Sequence, residues 1–597
     1  MTAPLRNADI AAVLREIALF LSMEDEPFKP RAYEKAAQSI EAADKECAAL
    51  FASGGVKQLA TIDGIGKSIA EKIGELLATG RMTYREELYA RTPVDVAALT
   101  AVEGVGPKAV RVLYQELGVT DLASLEAAAE AGRIRDLPRF GVKSEEKILR
   151  GIAFAKQRSG RFAIGDVLPT MREIEARLAT LKGVERAVIA GSIRRRRETV
   201  GDADLLVIAK HAAPVMEFVA GMAEVTRVLG AGDTKTSVRL ATGLQLDVRV
   251  VPRESFGAAL HYFTGSKAHN VALRQIAIKK QLKLNEYGLF RGDTAIAGAS
   301  EEEVFAALDL PYIPPELRED LGEIDAARAG RLPRLIEPGS LRGDLQTQTS
   351  WTDGADTLEA MVAEAQRLGL EYMAITDHTR DLAMVGGSDE AKIRLQGKAI
   401  DGLNTRLRGF RVLKGAEVNI RKDGTLDIAD DCLAELDVVG IAVHSHFNLP
   451  RAEMTARVIR AMRNPHADIF FHPTARQLNR REPIDLDLDA VIAAARETGT
   501  VLELDAYPER LDLKDDHVRK AIEAGVKIVI DSDAHAVAQL RFPEDYGIGV
   551  ARRGWATADD VLNTQPVEDF LAGLKGGTVP AGRPAKRTAA RAPRKRG

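Results

Sequence analysis

An apolar run that opens on two acidic residues constrains this chain most tightly, because it can be buried only at the rim of a site. Gly191-Ser-Ile-Arg-Arg-Arg-Arg-Glu-Thr-Val-Gly-Asp-Ala-Asp-Leu-Leu-Val207 contains such a run. The residues from Leu205 to Ile208 read as a β-strand, and side chains two apart on a strand share a face. Asp202 and Asp204 therefore stand together, ready to bridge two divalent cations. A third carboxylate is expected from a neighbouring strand, and Leu246-Asp-Val-Arg-Val-Val251 supplies Asp247 in an otherwise apolar run. Oxygen ligands at this density suit Mg²⁺ or Mn²⁺. Two such ions can activate a hydroxyl nucleophile and neutralise a leaving pyrophosphate. Gly191 and Ser192 stand ahead of the pair with arginines suited to a triphosphate. Arg249 should share a face with Asp247 and can pair with a carboxylate.

Upstream lies an internal repeat. Ile62-Asp-Gly-Ile-Gly-Lys-Ser-Ile-Ala-Glu-Lys-Ile73 parallels Val102-Glu-Gly-Val-Gly-Pro-Lys-Ala-Val-Arg-Val-Leu113. Each copy is a Gly-x-Gly turn leading into an amphipathic helix. Gly64, Gly66, Gly104 and Gly106 let a phosphate approach the backbone, and the helix behind offers free N–H groups. This is the pattern of a helix-hairpin-helix, which grips DNA backbones without reading bases.

Charge does not advertise nucleic-acid binding, since the formal net charge is −4 over 597 residues. Its distribution is more telling. Basic runs occur at Arg194–Arg197 and Lys279–Lys283, and the tract from Arg583 to Gly597 lacks any acid. That tail is expected to be disordered and to add non-specific phosphate affinity. The length suits about three to five domains. The two cysteines, Cys47 and Cys432, give no disulfide framework and suit a reducing cytoplasm. No apolar run reaches the roughly 18 residues that would span a membrane.

Texture changes along the chain set the expected domains. Residues 1–95 and 96–160 are short helices broken by glycine, 161–252 alternate strand and helix, and 253–320 read as helices with turns. Prolines and glycines mark a linker over 321–340. From 341 to 575 strands alternate with helices, which points to a barrel or an open parallel sheet; 576–597 is the basic tail. Seven of the ten histidines lie between His378 and His535. His378, His444, His472 and His535 each follow a β-like run, and Glu417 follows another. Strand ends of a βα barrel converge on one mouth, so these residues read as a multinuclear metal site. His446, His466 and His517 lack that placement.

Together these motifs, with Tyr262-Phe-Thr-Gly-Ser-Lys-Ala-His-Asn270, resemble the bacterial family X DNA polymerases related to DNA polymerase beta. The C-terminal part resembles the polymerase-and-histidinol-phosphatase (PHP) domain. The resemblance implies a multidomain α+β and α/β fold: helical helix-hairpin-helix domains, a polymerase beta-like nucleotidyltransferase palm and thumb, and a distorted (β/α)₇ PHP barrel. It implies a DNA-directed polymerase that fills short gaps in base-excision-type repair, acting on gapped or primer-template DNA and deoxynucleoside triphosphates, as a cytoplasmic monomer. Template-independent extension, or a PHP nuclease as the main activity, are the alternatives. Gly191, Ser192 and Arg195 would contact the triphosphate. Tyr262, Phe263 and Gly265 would line the sugar pocket, Asn270 would touch the base, Arg274 the template, and Lys267 would add attraction for nucleotide. Lys72 would be the Schiff-base lysine of any 5′-deoxyribose-phosphate lyase chemistry, and Lys35 its phosphate-binding lysine. A monovalent cation at the hairpins is a further candidate.

In the PHP half, Asp353, His378, Glu417, His444, His472, Asp533 and His535 match ligand positions for Mn²⁺ or Zn²⁺, and the family activities are 3′–5′ exonuclease, phosphatase or abasic-site endonuclease. One motif departs. Where the family carries a His-x-His pair, this chain reads Asp344-Leu-Gln-Thr-Gln-Thr349. By family assignment that pair shares one metal with Glu417 and Asp533, and glutamine is a poorer ligand than imidazole. A PHP domain that folds and binds some metal, with weakened exonuclease activity, is expected.

Overall fold

The computed structural model describes residues 5, 7–24, 28–41, 43, 45–62, 64–102, 104–158 and 160–575. The tail, 576–597, lies outside the described residues. Among those described, no helix is long and apolar enough to cross a membrane, and Cys47 and Cys432 are buried and unpaired.

The N-terminal part is helical. Helices Asn7–Met23, Lys29–Glu41, Cys47–Leu59 and Lys67–Thr79 are followed by Pro107–Leu117, Leu122–Glu130 and Val142–Arg158. Their apolar faces meet in one core running from Ile10 through Ile73 and Leu113 to Ile152. Both Gly-x-Gly turns therefore hang from a common support.

The palm is a five-stranded sheet backed by helix Ile164–Ala179. That helix buries Ile164, Val167, Leu168, Met171, Ile174 and Leu178, a stripe at helical spacing. Strand order across the sheet is Val184–Ile189, Asp202–Ala209, Gln245–Val250, Lys235–Leu240 and Val225–Ala231. The two acid-bearing strands, Asp202–Ala209 and Gln245–Val250, run parallel, and every other pair is antiparallel. The hairpin formed by the last two strands was not anticipated from sequence. Its outer strand is exposed along most of its length and so shows no apolar alternation.

The thumb packs helices Phe256–Thr264, Lys267–Lys279 and Glu301–Ala307 around their own core. It also holds a three-stranded antiparallel sheet, Lys283–Asn285, Gly288–Arg291 and Thr294–Ala297, in a region read as helices with turns. Strands of three or four residues are too short to declare a period. The stretch 321–340 is structured too. It carries helix Glu323–Arg328, and Leu335 packs into the thumb core while bridging to Thr557.

The C-terminal domain is a seven-stranded parallel sheet in chain order: Gly343–Asp344, Tyr372–Ile375, Arg411–Asn419, Val438–Ala442, Ile469–Phe470, Val501–Asp505 and Ile528–Asp531. Most strand residues are buried on both faces, as helices wrapped outside a parallel sheet require. The first and last strands meet. Leu345 N donates to Asp531 Oδ1 (2.9 Å), Ser532 N donates to Asp344 Oδ1 (3.1 Å), and Thr347 bridges Ala534 in parallel. The result is a nearly closed barrel whose apolar core runs on into that of the palm.

One buried ion network ties palm to thumb. Arg194 grips Glu301 with both terminal nitrogens (2.9 and 2.6 Å), and Arg318, fully buried, reaches the same carboxylate at 2.5 Å. Burial alone would raise the carboxyl, but the two guanidinium charges pull it from 4.5 down to about 2. A depressed carboxylate adds stability above its unfolded value and loses it as pH falls through the folded one. Glu301→Gln, which strands two buried guanidinium groups, should cost about 3–5 kcal/mol at pH 7. Urea midpoints of wild type and variant should draw together as pH falls below 4.5 toward 2; an unchanged gap across that range would count against the network.

Candidate polymerase and metal sites

In the palm the parallel register sets Asp204 directly beside Asp247, with Asp202 beside Gln245. Alternation places all three carboxylates on one face of the sheet. Asp202 is exposed and Asp204 half-buried. Burial, reinforced by the charges of Asp202 and Asp247, pushes the Asp204 carboxyl up to about 7. Asp247 goes the other way. Burial would raise it, but hydrogen bonds from Lys235, Ser237 and Gln245 hold it below the usual range. Lys235 Nζ lies 2.6 Å from Asp247 Oδ2. Arg249 is looser at 3.9 Å, with its guanidinium stacked 4.5 Å over the Phe263 ring. Lys235 escaped the sequence reading because its hairpin did. Once Lys235–Leu240 is recognised as a strand, its pairing of Ser237 with Asp247 brings Lys235 to the same face.

The loop behind the triad is held by close approach. Ala190 N donates to Asp204 O (2.8 Å). Gly191 adopts φ +63°, and a Cβ there would meet Asp204 Oδ2 at 3.0 Å, so only glycine brings the backbone so near the carboxylate. Ser192 is half-buried in the one-turn helix Gly191–Arg194. Arg195 does not point freely into solvent. Its Nε pairs with Glu319 Oε1 (3.0 Å), another nitrogen donates to Thr264 O, and the guanidinium abuts Gly265.

Tyr262 and Phe263 end helix Phe256–Thr264 with rings edge to face, 5.1 Å between centroids. Asn270 Nδ2 donates to Tyr262 O (2.7 Å), while Asn270 Oδ1 is buried without a partner. Lys267 is exposed in the first turn of its helix, and Arg274 is exposed one turn beyond Asn270 with Nε on Asn270 O (3.3 Å). In the helical part Gly64 and Gly104 have φ of +74° and +90°. Gly66 and Gly106 precede helices whose first turns carry no side-chain cap, leaving N–H groups for an anion. Lys35 lies against Gly64. Lys72 Nζ donates to Ser68 Oγ (2.8 Å) and sits 4.9 Å over the Tyr84 ring.

At the barrel mouth Glu417, fully buried, is the hub. Its Oε1 meets His444 Nε2 (2.9 Å) and His472 Nε2 (2.8 Å), and its Oε2 meets His378 Nδ1 (3.3 Å). Burial would raise this carboxyl, but His378, His444 and His472 hold it well below its usual range. Asp353 Oδ2 lies 3.6 Å from both His378 Nε2 and His535 Nε2. Among the described residues two trios have ligand atoms within 4.8 Å of one another: Asp353, His378, His535 and His378, Glu417, His444. Both donor sets fit a divalent cation. Asn419 Oδ1, bonded to His444 Nδ1 (2.7 Å), orients that ring; it stands two residues beyond Glu417 on one strand, so alternation is the signal that could have found it.

The position where the family has its histidine pair does not fit a metal in the same way. Gln348 Nε2 donates to Glu417 Oε2 (2.9 Å), and the amide of Gln346 is buried with neither atom partnered. Asp533 lies opposite Arg510, whose Nε is 3.5 Å from Asp533 Oδ2 and 3.4 Å from Asp505 Oδ2. A guanidinium therefore shares the carboxylate that would complete the third metal position.

Three family models match parts of the chain. Residues 259–319 match the family model of the DNA polymerase beta thumb, 5–82 that of a helix-hairpin-helix domain, and 96–153 that of a SAM-like helix-hairpin-helix tandem. A probable phosphatase of Thermoanaerobacter sp. (strain X514) is 32% identical over 36% of this chain and 87% of its own length. DNA polymerase lambda of Rattus norvegicus is 24% identical over 52% of this chain and 56% of its own length. The DNA polymerase/3'-5' exonuclease PolX of Bacillus subtilis (strain 168) is 39% identical over 96% of this chain and 100% of its own length. The chain belongs to the bacterial family X DNA polymerases that carry a C-terminal PHP domain.

Proposed function

We propose that the chain fills short gaps in DNA during repair, adding deoxynucleotides to a primer 3′-hydroxyl at Asp202, Asp204 and Asp247. The parallel register of Asp204 against Asp247 carries this reading. Divalent cations held by the three carboxylates, Mg²⁺ or Mn²⁺, would activate the hydroxyl and neutralise the departing pyrophosphate. The residues around them do the positioning. Gly191 and Ser192 cradle the triphosphate beside Asp204. Arg195 lies next to Gly265, where it can exchange its partners for phosphate oxygens. Tyr262 and Phe263 pack against the sugar, the unpartnered Asn270 Oδ1 is an acceptor for the base edge, and Arg274 faces the template. The two hairpins hold the DNA backbone on either side of the gap. A cytoplasmic setting fits two buried, unpaired cysteines, and a monomer suffices because one chain supplies every residue named here. Lyase activity at Lys72 is a secondary reading, placed on the helix Lys67–Thr79 that follows the first Gly-x-Gly turn.

For the PHP domain we propose a weakened 3′–5′ exonuclease that uses Mn²⁺ or Zn²⁺ held by Asp353, His378, Glu417, His444, His472 and His535. The unpartnered Gln346 amide and the Arg510–Asp533 pair support the weakening.

Wild type should extend a primer on one-nucleotide-gapped DNA, and Asp202→Ala with Asp204→Ala should reduce that by about a thousandfold or more. No extension by wild type in either Mg²⁺ or Mn²⁺ would overturn the polymerase reading. Lys267→Ala should raise the nucleotide Kd about threefold or more, by loss of one exposed charge; titration of nucleotide without DNA checks this, and an unaltered Kd removes its role. Gln346→His with Gln348→His should raise Mn²⁺-dependent 3′–5′ exonuclease activity on single-stranded DNA. A robust wild-type exonuclease, abolished by His472→Ala and not increased by the double substitution, would show that the site needs no repair.

A further inference from the structure

The polymerase loop is gripped from an unexpected side. Arg553 ends the barrel helix Ile548–Arg553, and its side chain is only 3% exposed. One terminal nitrogen donates to the backbone carbonyl of Arg195 (2.9 Å) and to Glu319 Oε1 (2.9 Å). Its Nε and other terminal nitrogen donate to Asp515 Oδ2 (2.8 and 2.5 Å), on the barrel helix Asp515–Glu523. The same Glu319 oxygen accepts from Arg195 Nε. The loop is thus held by its backbone from Arg553 and by its side chain from Glu319, which Arg553 also fixes. Two neighbours reinforce the grip. Arg552 Nε pairs with Glu316 Oε1 (2.9 Å), and Gly549 lies so close beneath the loop that a Cβ there would meet Arg196 Cγ at 2.9 Å.

We infer that Arg553 is a positioning residue of the polymerase site: the PHP barrel, through this one guanidinium, holds the Gly191–Arg197 loop in the shape that receives a nucleotide triphosphate. The inference rests on the polymerase reading for the loop's role. Five hydrogen bonds, to the carbonyls of Arg195 and Glu316 and to the carboxylates of Glu319 and Asp515, need a planar fork. A lysine keeps the charge but offers one point donor and cannot serve the Arg195 carbonyl, Glu319 and Asp515 together. Arg553 lies far along the chain from the carboxylate triad and touches none of its members, so its effect should fall on nucleotide placement rather than on the metal ligands. Loosening a loop that receives the triphosphate weakens its hold on substrate and transition state alike, which raises KM and leaves kcat little changed.

The test uses the full chain with Arg553→Lys, and with Asp515→Asn as a second variant that keeps the guanidinium but removes its anchor. Amide hydrogen exchange over residues 190–198 should speed up in both, while the barrel strands stay protected. In single-nucleotide gap filling the nucleotide KM should rise about tenfold in Arg553→Lys, with kcat changed by less than about threefold and the KM for gapped DNA unmoved. Wild-type exchange in the loop for both variants would overturn the inference. So would faster exchange with an unaltered nucleotide KM, since the contact would then be structural only. If wild type fails to extend primers at all, the polymerase reading falls, and the exchange measurement still decides whether Arg553 holds the loop. Should Arg553→Lys fail to fold, Asp515→Asn carries both readouts.

Discussion

Two carboxylates set side by side across parallel strands are an unfavourable pair, and the polymerase half is arranged around that pair. Like charges opposite one another destabilise a sheet, and partial burial of Asp204 compounds the cost, which is why its carboxyl rises to about 7. Asp247 escapes the same fate because Lys235 and, more loosely, Arg249 bring positive charge to it. Strongly perturbed carboxylates tend to cluster where charge is to be bound or moved. Here the stress is local and directional. It sits on one face of two inner strands, under a glycine loop that could not approach so closely with any other residue. The thumb is fastened to that loop through Arg194 and Glu301, so nucleotide pocket and triad belong to one rigid frame.

The barrel solves a similar problem by a different route. Glu417 is also buried, yet imidazoles surround it and its carboxyl falls rather than rises. Two trios of ligands are already close enough to share a cation each. At the third position the chemistry changes. Gln346 and Gln348 present amides, and Arg510 lies between Asp505 and Asp533. The centre is therefore uneven, with hard and borderline donors kept on one side and hydrogen-bonding groups on the other.

Much of this was legible in the sequence where a period or a spacing carries the information. Asp202 and Asp204 announce themselves because alternation on a strand is strict. The barrel histidines do so because each follows an apolar run. The remainder was hidden for physical reasons. The Val225–Ala231 strand is solvent-exposed, so nothing in its composition marks it, and with it went Lys235. The three thumb strands are shorter than any detectable repeat. Arg510 acts from a loop, where no periodicity describes its placement. Arg553 contacts a carbonyl 358 residues away, and no local pattern records a contact between two domains. Gln346 and Gln348 show the converse: the substitution was visible at once, but the partners their amides take, or lack, required the folded barrel.

That distant contact bears on why a barrel with a depleted metal position is still a barrel. The palm and barrel share a continuous apolar core, and the helix bearing Asp515 follows the loop that carries Arg510 and Asp512. If Arg553 holds the nucleotide loop, the barrel has two tasks, one chemical and one mechanical, that depend on different residues. The amides of Gln346 and Gln348 at the mouth bear on the first task and leave every hydrogen bond of the second in place. Loss of the fold would remove both. The strand ends can thus drift in their chemistry while the strands, the closing Asp344 and Asp531 contacts and the helices behind them stay fixed, because the polymerase site leans on those and not on the metals.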